Sequence, residues 1–162
     1  MIRLSRILCI FFLMISAAQA NAEAICVSSF SEFNEQKGKL PNVIQELPTM
    51  LTVDSFIVTA ALKIRPARDR LKLEGYVWQP GSIYADDGYI QSACYENDIL
   101  KVTLENGKTY EGKVSKDKAV EIRGFKFKHS TERQFASIVE KVRRASKGKI
   151  EVSSDKGSEG VR

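Results

Sequence analysis

The sequence predicts an α+β protein: a curled antiparallel β-sheet or small barrel, one amphipathic C-terminal helix, and short helical turns near the N-terminus. Three observations carry that expectation. Seven or so short runs alternate apolar with polar residues and are separated by tight turns, the pattern of a sheet whose strands are neighbours in sequence. One of those turns, at Glu105-Asn106-Gly107, can be read in detail. Beyond Thr131 the apolar spacing changes from two to that of a helix.

The chain has 162 residues, room for one domain with tails. Residues 1–20 read as an export signal: Arg3 and Arg6 form a basic start, Ile7 to Ile15 is apolar, and Ala18-Gln19-Ala20 is a small-x-small cleavage site. That apolar run is well short of the roughly 20 residues of a bilayer span. Cleavage after Ala20 removes two positive charges and lowers the net charge from +5 to +3. The expected location is therefore periplasmic or secreted, with no transmembrane segment left after cleavage. The expected organisation is a signal peptide at 1–20, one β-rich domain at 21–148 and a disordered tail at 149–162. Removal of Cys9 leaves Cys26 and Cys94, which in an oxidising compartment have one possible intramolecular pairing.

Along the domain, Ser29-Phe30-Ser31-Glu32 fits a capping box for a short helix ending near Gly38. Pro41 suits a first helical position, and Pro48 stops that second short turn. From Leu51 to Arg65 the alternation reads as a long strand, broken or bent near Asp54-Ser55. Residues 65–70 read as a turn, and Leu71 to Trp78 as the returning strand, with Gly75 marking a bulge or the bend of a curled sheet. Gln79-Pro80-Gly81-Ser82 and Asp86-Asp87-Gly88 read as turns flanking a short run at Ile83-Tyr84-Ala85, followed by a strand over Tyr89 to Tyr95.

The hairpin over 98–114 permits a choice between two loops. A two-residue Asn-Gly loop would set Thr109, Glu111 and Lys113 opposite Leu104, Val102 and Leu100. A three-residue loop with Gly107 in the left-handed conformation instead aligns Tyr110, Gly112 and Val114 with the apolar face, and burial selects it. Val120 and Ile122 follow, and Gly124 shifts the phase so that Phe125 and Phe127 become the buried pair. Thr131 then caps a helix with Phe135, Ile138, Val139 and Val142 on one face, ended by Gly148. The hairpin resembles the small SH3-like and OB-like barrels in general architecture, and no functional residue is carried over from either.

The chemistry is defined mostly by what is missing. A single histidine, His129, and two cysteines expected to pair leave no four-ligand zinc set and no nucleophilic triad independent of His129. Asp86-Asp87 with Glu96 and Asp98 lacks the full calcium-loop pattern. The basic and aromatic residues of 123–133 follow from strand alternation, so nucleic acid is not expected as a partner. No cofactor, metal or catalytic residue is assigned. The candidate binding residues are Tyr76, Trp78 and Tyr84 as an exposed aromatic surface, and Arg65, Arg68 and Arg70 as a basic patch suited to lipid headgroups or an acidic envelope polymer; the expected partner is a protein or envelope polymer. The expected function is a non-enzymatic, exported binding or inhibitor-like module of the cell envelope. The alternatives are an envelope hydrolase using acidic residues, and a structural subunit of an export or surface assembly.

Overall fold

The structure, a computed structural model, describes residues 23–154. The leader assigned to residues 1–20 lies outside the described residues. Nine strands form one antiparallel sheet: β1 (Ile25–Val27), β2 (Thr49–Asp54), β3 (Thr59–Ala67), β4 (Arg70–Gln79), β5 (Ser82–Glu96), β6 (Ile99–Leu104), β7 (Thr109–Val114), β8 (Ala119–Ile122) and β9 (Phe125–His129). Their order is β1-β5-β4-β3-β2-β9-β8-β7-β6, and a further pairing of β5 with β6 closes eight of them into a ring. The fold class is as expected. The ring is larger than the five-stranded OB-like barrel that the hairpin resembles.

Closure depends on β5. Ser82 to Tyr89 pair with β4, while Ile90 to Glu96 pair with β6 after a register shift between Ile90 and Ser92. The edge that β4 leaves is taken by β1, and the pair Cys26–Cys94 is disulfide-bonded across it. The Asp86-Asp87-Gly88 turn expected from sequence does not exist: these residues lie inside β5, opposite Gly75, Glu74 and Leu73. Local polarity misled the reading because each residue has a tertiary partner. Asp86 accepts hydrogen bonds from Lys108 and Tyr110, Asp87 pairs with Lys72, and Gly88 leaves room for the side chain of Leu104.

The long strand expected to be broken or bent near Asp54-Ser55 is broken there, and its two pieces pair with each other as a hairpin. Ser55 nucleates the turn: its backbone N–H donates to the Val58 carbonyl, and its hydroxyl accepts from the N–H groups of Ile57 and Val58. The β3–β4 turn is tighter than expected, Arg68-Asp69 with Arg68 at φ 59°, so that Pro66 is still in register with Leu71. The β3–β4 register also runs unbroken through Gly75, which is therefore not a bulge. Around Gly107 the three-residue loop is as expected: Val102 pairs with Tyr110, Leu100 with Gly112, and Gly107 has φ 82°. The change of phase at Gly124 is a hairpin turn of Arg123 and Gly124, both at positive φ.

One end of the barrel is sealed by the N-terminal segment. Ser29 caps α1 (Phe30–Gln36) by accepting from the Glu32 N–H, and Glu32 answers by accepting from Ser28. Phe33 of α1, Leu40, and the single helical turn Asn42–Ile44 bury against Ile64, Leu71, Ile90, Ala93 and Leu100. The helix α2 (Glu132–Ser154) packs Phe135, Ile138 and Val139 on Ala61, Tyr76 and Met50, on the outside of the barrel. Its start is the reciprocal Thr131–Gln134 box. It continues past Gly148, where the sequence reading ended it and began the tail; one glycine costs about 1 kcal/mol in a helix interior, too little to stop a favourable run. The rest of that tail, 155–162, lies outside the described residues.

Lys141 of α2 donates to Asp54 at the end of β2, and this hydrogen bond, aided by one from Thr59, holds the Asp54 carboxyl below its ordinary value of 3.8. A lowered folded pKa adds stability above the unfolded value and loses it as pH falls. Both partners are about half exposed, so the contribution is at most about 1 kcal/mol. Thermal melts of Asp54→Asn and the parent should therefore differ slightly at neutral pH and converge as pH drops below 3.8. A gap that widens in acid would contradict this.

Candidate functional site

The barrel is not filled along its whole length. Its lower part is packed by Leu51, Leu71, Leu100, Val102 and Leu104, all under a tenth exposed. Towards the opposite end lies a cavity of about 430 Å³. An eight-stranded ring is wide enough to hold one small ligand when its inward side chains leave space. Here the space arises on β4 and β3. Alternation turns Leu71, Leu73, Gly75 and Val77 inward, and the missing side chain at Gly75 leaves only Leu62 and Asp86 beside that position. The walls are Val58 and Leu62 from β3 and the turn before it, Leu73, Gly75 and Val77 from β4, and Ile122, Phe125 and Phe127 from the β8–β9 hairpin.

Polar groups collect on one side of the rim. Asp86 points inward from β5, opposite Gly75, and accepts hydrogen bonds from the Tyr110 hydroxyl and, with both oxygens at 3.1 Å, from the Lys108 ammonium. Thr109, Gln79 and Arg123 complete the rim. Asp86 is the one carboxylate among the lining residues, and it is held by two donors. Arg123 is exposed and has no carboxylate partner among the described residues. The arrangement can hold an apolar body and offers hydrogen-bonding groups at its entrance. Among the described residues no group of three His, Cys, Asp or Glu side chains is placed to hold a metal ion.

The surface residues singled out from sequence are spread along β3, β4 and β5, the aromatics towards one end and the arginines towards the other. Tyr76 stands on the outer face of β4 with its ring edge-on to Phe135, half-covered by α2, and the Arg143 guanidinium lies 5.6 Å from its centroid. Trp78, two residues on, is half-buried on the same face. Tyr84 is in register with Val77, and its side chain lies outside what the structure describes. The three arginines sit towards the other end of β3 and β4. Arg65 pairs with Glu74 at 2.6 Å, Arg68 occupies the exposed turn, and Arg70 stacks 3.6 Å over the Tyr89 ring while pairing with Glu105. Two of these three cations thus have acidic partners within the chain.

The cavity itself was invisible to sequence reasoning. Two signals pointed towards the region: a glycine at an inward position of β4, and Phe56-Ile57-Val58, three consecutive apolar residues that break the alternation after Asp54-Ser55. Fold and site together define a closed eight-stranded antiparallel barrel, sealed at one end and hollow at the other, with a helix along its outer wall. No protein-family model, no curated protein and no solved structure matches this chain.

Proposed function

We propose that this is an exported, non-enzymatic binding protein whose ligand is a small apolar or amphipathic molecule held in the hollow end of the barrel. The single observation that carries the reading is the 430 Å³ cavity, apolar along its walls and polar at one side of its rim. It is preferred to the surface-binding idea based on Trp78 and the arginines, which lie towards opposite ends of the outer face of β3 and β4, with Arg65 and Arg70 already paired to acids. Export is supported by the basic start, apolar run and small-x-small site of the leader, and by the Cys26–Cys94 bond, which belongs to oxidising compartments. Among the described residues no helix is long and apolar enough to cross a membrane. The hydrolase alternative needs two facing carboxylates, and Asp86 has no acidic neighbour among the residues lining this cavity.

The test is saturation binding of N-phenyl-1-naphthylamine, a neutral probe that fluoresces in apolar surroundings. The protein should bind it at one site. Val77→Phe, which adds a ring where Val77 lines the cavity, should weaken binding roughly tenfold or more, equivalent to about 1.4 kcal/mol. The volume-conserving Leu62→Met should bind like the parent. Equal affinity in parent and Val77→Phe, both folded by circular dichroism, would remove the cavity as the binding site.

A further inference from the structure

Two of the three large apolar side chains that the described residues leave exposed are neighbours. Phe56 is 101% exposed and Ile57 63%, and both sit on the β2–β3 turn. The next residue, Val58, is buried and lines the cavity, so the exposed apolar tip and the apolar interior are continuous along the chain. The turn beside it is that of β8 and β9. The antiparallel β2–β9 pairing, Leu51 with His129 and Thr52 with Lys128, puts the β2–β3 turn and the Arg123-Gly124 turn at the same end of the barrel, where Val58 and Arg123 both line the cavity. The neighbouring acids leave Arg123 uncompensated, because Asp54 is held by Lys141 and Asp86 by Lys108. An apolar tip beside a cation with no carboxylate partner among the described residues, at the entrance of an apolar cavity, complements an anionic lipid surface: acyl chains for the tip, headgroup oxygens for the guanidinium.

We infer that the open end of the barrel docks on an anionic lipid bilayer through Phe56, Ile57 and Arg123. The inference builds on the cavity reading for its purpose, delivery of an apolar ligand between the barrel and a lipid phase, and its contacts stand apart from it. In vesicle flotation, the protein should bind phosphatidylcholine vesicles containing phosphatidylglycerol and bind pure phosphatidylcholine vesicles several-fold more weakly, a preference that added salt should erase. The double variant Phe56→Ser, Ile57→Ser should lose at least tenfold of the binding while still taking up the naphthylamine probe in solution. Arg123→Asn, a residue tolerated at positive φ, should lose the preference for anionic vesicles. Val77→Phe should dock like the parent. If probe uptake fails but the vesicles are bound and the tip variant is released, docking stands without the cavity's role. A parent protein that stays in solution, or a tip variant that floats equally well, overturns docking and leaves the cavity untouched. A dimer that the tip variant dissolves assigns the patch to a second copy and overturns the proposal as well.

Discussion

Replacing Cys26 and Cys94 together by alanine, or reducing their bond, should lower the stability of the protein by about 4 kcal/mol in the chain-entropy description, because the bond closes a loop spanning 68 positions. The loss should be visible as a lower midpoint in urea with the folded circular-dichroism spectrum retained below it. The location adds to the loop effect. β1 has three residues and pairs with β5 alone, so without its covalent partner it keeps only that short ladder, buried Val27 and half-buried Ile25 against fraying. The sealed end should therefore loosen first, with α1 and the helical turn at 42–44 following β1. A midpoint unchanged by reductant would mean that the strand holds without the bond. Recovery of two free thiols from the folded protein isolated from its host would show that the bond is not formed there.

The second large effect is expected at Leu104. Its side chain is completely buried at the end of β6, and truncation to alanine should cost about 2–5 kcal/mol, the range for deleting a core leucine into a site that cannot collapse. The neighbouring glycine offers an internal control. A Cβ built on Gly88 would stand 3.1 Å from the Leu104 Cδ1 atom, closer than comfortable contact. Gly88→Ala alone should destabilise by crowding. Combined with Leu104→Ala it should instead restore part of the lost packing, so that the double variant is more stable than the sum of the two single changes predicts. Urea midpoints of the four proteins give the coupling directly. Strict additivity would show that the two positions do not share space.

Those residues also show what the sequence could and could not convey. The loop at 105–107 was legible because burial discriminates sharply between registers: one slip turns Tyr110 and Val114 to water, and only one loop length avoids it. The helix α2 was legible because its apolar stripe and its cap are both local features. Asp86-Asp87-Gly88 was not, since its three justifications, the Lys108–Tyr110 pair, Lys72 and Leu104, come from other parts of the chain, none nearer than Lys72. The β2–β3 hairpin was missed for a related reason. An apolar run of Phe56-Ile57-Val58 looks like strand interior unless one knows that two of the three side chains have nothing to pack against. The site was the least legible part, because a cavity is made by the absence of side chains and is lined from five separate stretches.

The way β5 joins its neighbours has a consequence for what can enter. Over Ser82 to Gly88 the strand has backbone pairing on its β4 side only, and its other flank meets the β6–β7 hairpin through side chains, Asp86 to Lys108 and Tyr110. The circumference is thus fixed like a cuff sewn at its lower hem, where Ile90 to Glu96 ladder with β6, and buttoned above it by side chains alone. On the binding reading proposed above, a wider guest would need three side chains swung aside, with no ladder hydrogen bond of Ser82 to Gly88 surrendered.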